Sequence, residues 1–256
     1  MSKFFPIRLV SREDFAPGVM RLQFVRDDGQ PMDYTPGQFI QIHFPLADGE
    51  MARRSYSLAT RHDHHIAVGE AVDFIASAIP GGRATALFQG MAIGENLQAT
   101  GPMGLFTLKP DDANQRYVLI ATGTGVASYR SMLPDLDALL ASRPELSIVL
   151  MQGARTPAEL LFAEEFADFA RRRGERFRHF ACLSRELPAD GDPLHDHAQV
   201  RHGYVQNFLD EVAPQAEGDI AYLCGNPNMV DACVEDLKGR GLPMKFIRRE
   251  KYVSLK

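Results

Sequence analysis

Arg54-Ser55-Tyr56-Ser57 brings an arginine, an aromatic ring and two small hydroxyls together just after an apolar segment. A planar guanidinium makes two parallel hydrogen bonds to a pyrophosphate, and a tyrosine offers a ring face for stacking. A serine hydroxyl can meet a ring nitrogen. An ordinary half-exposed strand accounts for the same tetrapeptide. Pro80-Gly81-Gly82-Arg83-Ala84-Thr85 runs into Ala86-Leu87-Phe88. A glycine turn opening a short helix leaves backbone N–H groups free for an anion, and Thr85 adds a hydroxyl; a plain β-turn before a capped helix fits equally well. Gly123-Thr124-Gly125-Val126-Ala127-Ser128 follows the apolar run Arg116–Ala121. Its glycines would let phosphate approach the backbone at the carboxyl end of a first parallel strand, although the pattern is G-x-G-x-x-S and lacks the third glycine. Cys224-Gly225-Asn226-Pro227-Asn228-Met229 closes another apolar run and opens a helix, which points it into the same crevice. Alone, it reads as a buried small cysteine and a turn.

These segments need two kinds of scaffold. Up to Leu108 the chain reads as short strands, among them Gly18–Phe24, Gln38–Phe44 and Val72–Ile79, separated by turns at Asp27-Asp28-Gly29, Pro36-Gly37, Asp48-Gly49, Pro80-Gly81-Gly82 and Gly101-Pro102. Closely spaced short strands predict a small barrel or sandwich, with one helix from Ala84 to Gln89. After the polar break Lys109-Pro110-Asp111-Asp112, strands and helices alternate. Strands are expected at Arg116–Ala121, Ser147–Gln152, Phe177–Leu183 and Asp219–Cys224, with helices to about Ala141 and over Ala158–Arg172, Tyr204–Val212 and Asn228–Gly239. That alternation predicts a doubly wound parallel sheet. The polar stretch Pro188–His202 is expected to be a mobile loop.

The chain has 256 residues, enough for two domains, with 45% hydrophobic and 24% charged residues. A net charge of -5 argues against a nucleic-acid partner. The three cysteines, Cys182, Cys224 and Cys233, have no C-x-x-C spacing, so neither a disulfide framework nor a cysteine-only metal site is expected. No apolar run is long enough for a signal peptide or membrane span, and a reducing cytoplasm is the expected location.

In their order and spacing, the four segments resemble the ferredoxin–NADP(+) reductase family. Its pattern is R-x-Y-S, G-G-x-x-S/T, G-T-G-x-A/G, C-G-x-x-x-M and a C-terminal segment beside the flavin, matched here by Arg54–Ser57, Gly81–Thr85, Gly123–Ala127, Cys224–Met229 and Arg249–Tyr252. The resemblance implies a two-domain fold: an antiparallel Greek-key β-barrel for FAD over 1–108 and an α/β doubly wound parallel sheet for NADP(H) over 112–256. It implies that Arg54 binds the FAD pyrophosphate with Gly82, Arg83, Ala84 and Thr85. Tyr56 would pack on the isoalloxazine and Ser57 would hydrogen-bond near its N5, with Ser55 among the cofactor-binding residues, and Ile75, Ala76, Ser77 and Ala78 would run beside the ribityl chain and ring edge. Thr124 and Gly125 would meet NADP(H), as would Gly225, Asn226, Pro227 and Met229. Ser57, Cys224, Glu250 and Tyr252 would be the catalytic set, with Tyr252 shielding the flavin; Glu250 would be a proton relay, and a solvated surface glutamate fits that position nearly as well. The chain departs from the common pattern at Ser128, where proline is frequent, and in running four residues past Tyr252.

Arg155 in Gly153-Ala154-Arg155-Thr156 and Arg185 in Leu183-Ser184-Arg185-Glu186 follow adjacent strands, where an adenosine 2′-phosphate would sit. The family's S-R-E and R-T-like segments add Ser184 to that site, whereas Tyr204 stands where some NADPH users carry arginine. The implied activity is hydride transfer from NADPH to FAD and single-electron exchange with ferredoxin or flavodoxin in a transient complex, by a monomer. A reductase component or electron-transfer subunit feeding an oxygenase is the alternative. His62, His64 and His65, and likewise His195 and His197, are expected in solvated loops, with no metal site. The Phe162–Phe169 aromatics are expected to be core.

Overall fold

The computed structural model describes residues 4–46, 49–109 and 113–253. Asp48 of one expected turn, the break at Pro110-Asp111-Asp112 and the residues after Val253 lie outside these. The chain divides into two compact units: the first holds the chain up to Leu108 together with Ala127–Asp135, and the second holds Lys109–Val126 and Leu136–Val253.

In the first unit the strands are β1 (Phe5–Ala16), β2 (Val19–Arg26), β3 (Met32–Asp33), β4 (Phe39–Pro45), β5 (Met51–Ser57), β6 (His65–Ile66), β7 (Ala71–Ser77) and β8 (Asn96–Met103), with helix α1 (Arg83–Gly90) between β7 and β8. Six of them form an antiparallel sheet in the order β5-β4-β8-β1-β2-β7. Leu58, just past β5, bridges Phe74 of β7, so the two edges meet and the sheet closes into a barrel. Alternation puts Phe5, Ile7 and Leu9 of β1 inside with Leu22, Phe24, Ile40, Ile42 and Phe74. Helix α1 adds Phe88 to this core, its ring 5.4 Å from Tyr56 and 6.5 Å from Phe24.

Asp73 and Arg130 form a buried ion pair in this unit. Asp73 of β7 accepts hydrogen bonds from Arg21 at 2.9 Å, Gln23 at 2.8 Å and Arg130 at 2.8 Å. Burial alone pushes its carboxyl up, but these donors outweigh burial and hold it below the usual range.

The second unit contains β9 (Arg116–Thr122), β10 (Ser147–Ala154), α3 (Ala163–Arg173), β11 (Phe177–Leu183), β12 (Gln199–His202), α4 (Leu209–Val212), β13 (Asp219–Gly225), α5 (Pro227–Gly239) and β14 (Ile247–Lys251). Helix α2 (Val126–Ser142) lies between β9 and β10, with Ala127–Asp135 belonging to the first unit. The sheet order is β12-β11-β10-β9-β13-β14 and every pair is parallel. The order reverses between β9 and β13, where a doubly wound sheet opens a crevice at its carboxyl edge.

Several elements differ from the sequence expectation. Pro188–His202 is not an unstructured loop: Pro193–Asp196 form a 3-10 turn capped by the Asp192 carboxylate, Leu194 and Ala198 are buried, and Gln199–His202 are β12. Phe162 takes a left-handed φ of 58°, which delays α3 to Ala163 and leaves Pro157–Glu159 as a separate turn. The expected helix over Tyr204–Val212 is a 3-10 turn followed by α4. The C-terminal strand β14 was not anticipated, because its parallel partner β13 lies across a helix. The aromatics of α3 are core: Phe166 and Phe169 are buried, and Phe169 packs edge-on to Phe177 at 4.8 Å.

His64 meets Asp135 at 2.7 Å and His65 meets Asp33 at 2.6 Å, so these two exposed histidines are hydrogen-bonded to carboxylates, while His62 is half-buried. His195 is exposed as expected, but His197 is half-buried and stacks against the buried His179 at 6.4 Å. His179 Nε2 meets Gln152 Oε1 at 3.2 Å, while His179 Nδ1 and His197 Nε2 are buried without a hydrogen-bond partner among the described residues. Burial lowers the His179 pKa to about 3 and that of His197 in the same direction. The unfolded chain therefore binds more protons than the folded one below the ordinary histidine pKa, and stability falls as pH drops through that window. Between pH 7 and pH 5.5 we expect a loss of about 1–2 kcal/mol, measured as urea midpoints at the two pH values, and a smaller loss in His179→Gln.

Candidate functional site

In the first unit, the potential cofactor groups gather around the end of β5, the end of β7 and the start of α1. Gly82 precedes α1, and no side chain caps the helix, so its first-turn N–H groups remain available for an anion. A Cβ on Gly82 would lie 2.9 Å from the Ile79 carbonyl oxygen, so this residue must be small. Thr85 Oγ1 accepts from the Ile79 N–H at 2.9 Å, which fixes the hydroxyl beside the helix start and leaves its proton to donate. Arg83 is exposed, and Ala84 packs against the barrel core.

Arg54 is half-buried on β5 and donates through Nη1 to the Arg53 carbonyl at 2.8 Å. Ser55 faces outward and accepts from Gln41 at 3.3 Å, whereas Ser57 is buried. The Tyr56 ring lies against Phe88 and Phe74, and burial pushes its phenol well above the ordinary range. On β7, Ile75 and Ala76 are buried and Ser77 is exposed; Ala78, just beyond, donates its N–H to Gly18 O at 2.8 Å. A helix start without a cap and a glycine with no room for a side chain fit a dinucleotide pyrophosphate, and Arg54 lies on β5 of the same unit.

The second unit builds its crevice from the loops after β9 and β13. Gly123–Gly125 form a 3-10 turn and Thr124 is half-buried. Gly123 has a φ of 54° and open space where a Cβ would be. Gly125 is different: its Cβ would lie 2.4 Å from the Cys224 carbonyl oxygen and 2.9 Å from Gly225 Cα. Gly225, at φ 127°, would put a Cβ 2.5 Å from the Thr122 carbonyl. The two loops thus rest backbone to backbone. The Thr122 hydroxyl, which sequence reasoning passed over, joins them by accepting from the Asn226 N–H at 3.0 Å.

The Asn226 side chain caps α5, accepting from the Asn228 N–H at 2.8 Å and the Met229 N–H at 3.4 Å, and Pro227 occupies the first helical position. Met229 is buried, its sulfur 3.8 Å from that of Cys233. Cys224 is fully buried and sits opposite Glu250 in the β13–β14 register. Glu250 Oε2 is buried without a hydrogen-bond partner among the described residues, and burial pushes the carboxyl up to about 7. Tyr252 is half-buried and donates its N–H to Gly225 O at 2.8 Å. The tail thereby places Glu250 and Tyr252 beside the glycine crevice.

The loops after β10 and β11 are joined by hydrogen bonds from Ser184 N to Ala154 O at 3.0 Å and from Arg185 N to Arg155 O at 2.9 Å. Ser184 Oγ also meets Ala154 O at 3.4 Å. Arg185 is exposed. Arg155 is forked onto Glu159, Nε to Oε2 at 2.8 Å and Nη2 to Oε1 at 2.6 Å. The i,i+4 spacing of the pair was readable in the sequence as a charge pattern. Among the described residues there is no cluster of three or more metal-ligating side chains, and no helix long and apolar enough to cross a membrane.

Comparison with known proteins adds to this geometry. Residues 6–108 match the oxidoreductase FAD-binding domain family, and residues 119–235 match the oxidoreductase NAD-binding domain family. The chain is 31% identical to ferredoxin–NADP reductase B of Sorangium cellulosum over 97% of either sequence. It is 34% identical to the reductase subunit of an aromatic O-demethylase from Amycolatopsis over 87% of this chain, spanning 62% of that protein's length. A crystal structure of a ferredoxin NADP+ reductase from Neisseria gonorrhoeae, 19% identical, superposes with a TM-score of 0.78 over 98% of this chain and 99% of that one.

The packing at the crevice sets an order of tolerance among the glycines. Gly123→Ala should cost about 1 kcal/mol, for backbone strain alone. Gly125→Ala and Gly225→Ala should each cost about 2–4 kcal/mol, because the added carbon meets backbone that cannot move aside. Urea unfolding of the three variants checks this order.

Proposed function

The chain belongs to the ferredoxin–NADP reductase family of FAD- and NAD-binding oxidoreductases, and we propose that it is an NADPH-dependent reductase whose electrons pass singly to or from ferredoxin or flavodoxin. Residues 1–108 are assigned to FAD and 112–256 to NADP(H). The end-to-end match with ferredoxin–NADP reductase B carries this reading. The arginines at the ends of β10 and β11 support NADPH as the coenzyme.

Bound FAD and NADPH together supply hydride transfer followed by release of electrons one at a time. The residues of this chain bind and orient them. Arg54 and the α1 start, with Gly82, Arg83, Ala84 and Thr85, hold the FAD pyrophosphate. Ser55, Tyr56, Ser57 and the strand from Ile75 to Ala78 line the rest of its site. Thr124, Gly125 and the Gly225-Asn226-Pro227 turn receive the coenzyme, with Met229 supporting that turn from the core. Arg155, Ser184 and Arg185 meet its 2′-phosphate. The catalytic residues are assigned as Ser57 on the first unit and Cys224, Glu250 and Tyr252 on the second, where Glu250, raised by burial towards neutrality, holds a proton.

A second reading is a reductase component of an oxygenase, motivated by the 34% identity to the O-demethylase reductase subunit. The three buried cysteines of this chain cannot supply the four thiolates of an iron–sulfur cluster, so a separate carrier would be required. A reducing cytoplasm, with a monomer meeting its carrier transiently, suits free cysteines.

The coenzyme assignment is tested by kcat/KM for NADPH and NADH with the FAD-loaded chain and ferredoxin or flavodoxin as acceptor. Arg185→Ala should cut the NADPH value about 10- to 150-fold and leave NADH nearly unchanged, as expected for one charge-assisted contact. Arg155→Ala should act in the same direction and less strongly, because Glu159 already engages that guanidinium. Parallel loss with both coenzymes, or equal use of NADH by the wild type, would make the arginines structural.

A further inference from the structure

We propose that Glu159 is a specificity-determining residue: its carboxylate, held against Arg155, weakens the preference of the adenosine end of the site for a 2′-phosphate over a 2′-hydroxyl. This rests on the reading that Arg155 and Arg185 receive the coenzyme's 2′-substituent.

Arg155 and Arg185 follow the ends of the adjacent strands β10 and β11, while Arg178 and Arg201 lie within β11 and β12. Arg201 of β12 is the more committed, with Nε and Nη2 forked onto Glu211 at 2.9, 2.9 and 2.6 Å and Nη1 donating to Val200 O at 2.9 Å. Arg155 is only partly committed. Its Nε and one Nη2 hydrogen go to Glu159, which leaves three of the five guanidinium N–H groups, and the side chain is 52% exposed. Arg185 makes no ion pair with another described residue. Of the two arginines at these strand ends, Arg155 therefore has a carboxylate partner and Arg185 has none among the described residues.

Glu159 is the carboxylate placed to act on the coenzyme. Its side chain is 16% exposed, and Oε2 also accepts from the Arg155 backbone N–H at 3.2 Å. These contacts hold the carboxylate at the end of β10, directly behind the free edge of Arg155. A phosphate approaching that edge meets a neutral ion pair, where Arg155 alone would present a full positive charge. A phosphate dianion is penalised by this arrangement over a range of several ångströms. A ribose hydroxyl carries no charge to repel and can donate to a carboxylate oxygen. Glu159 also holds Arg155 in place, but the amide oxygen of a neutral glutamine, accepting from Arg155, does that too. In Glu159→Gln the change of charge therefore outweighs the loss of one acceptor.

The test uses the FAD-loaded full-length chain as wild type, Glu159→Gln and Arg185→Ala, with kcat/KM for both coenzymes and calorimetric binding of 2′,5′-ADP and 5′-AMP. In Glu159→Gln we expect the NADPH value to rise about three- to tenfold through KM with kcat held, NADH to fall slightly, and 2′,5′-ADP to bind more tightly by the same factor at low salt. The gain should shrink at high ionic strength, a signature that loss of packing would not produce. An unchanged or lower NADPH-to-NADH ratio in Glu159→Gln, while Arg185→Ala still loses NADPH selectively, overturns the inference and leaves the coenzyme assignment standing. If Arg185→Ala does not discriminate between the coenzymes, the assignment fails and the inference with it.

Discussion

The coenzyme crevice depends on a contact that has no side chain in it. Gly125 lies against the carbonyl of Cys224, and Gly225 lies against the carbonyl of Thr122, with room for a Cβ at neither position. The loops after β9 and β13 can therefore lie face to face at the point where the sheet order reverses, with the Thr122 hydroxyl tying one to the other. Everything else at the crevice follows from that approach. Asn226 is held where it can cap α5, and the Gly225 carbonyl is turned to receive the Tyr252 N–H. The strand pairing that places Cys224 opposite Glu250 begins from the same loop. Of the glycines in this pair of loops, Gly123 alone faces open space, and it is the one whose side a phosphate can approach.

The two units meet the problem of binding an anion in related ways. Each leads from a strand through glycines, Gly81-Gly82 before α1 and Gly123–Gly125 before α2, into a helix without a side-chain cap, so backbone N–H groups and the helix dipole supply positive potential. They differ in the surrounding charge. The first unit concentrates three donors on the buried Asp73, so its interior charge is compensated and Arg54 stands apart from that cluster. The second unit leaves charge only partly compensated at the ends of β10 and β11, where Arg155 shares a carboxylate and Arg185 does not. Glu250 represents the opposite case, an acid with no compensating donor among the described residues, and this is why its proton is held up to near neutrality.

Much of this was legible in the sequence, because the signals are local. The glycine turns, the apolar runs of β9, β10, β11 and β13 and the change of pattern after Leu108 each declare themselves within a dozen residues. What was not legible depends on long-range pairing. Strand β14 carries charged residues, Arg248, Arg249, Glu250 and Lys251, and reads as a polar tail until β13 is placed beside it. Strand β12 and the burial of Leu194 are hidden in the same way inside a polar stretch. His197 looked solvated because nothing near it in the chain reveals that His179 will lie against it. At the glycines the sequence reading assigned the missing side chains to coenzyme approach, whereas at Gly125 and Gly225 what excludes a side chain is the neighbouring loop.

The central claim is that the β9 and β13 loops receive a nicotinamide coenzyme whose electrons reach FAD held by the first unit. It is tested most directly by anaerobic rapid mixing of the FAD-loaded chain with NADPH or NADH, following the visible absorption band of the flavin. The account predicts that one equivalent of NADPH bleaches the band in a single turnover, and that NADH needs a higher concentration to reach the same rate. A band that neither coenzyme bleaches, or that NADH bleaches as readily as NADPH, would contradict it.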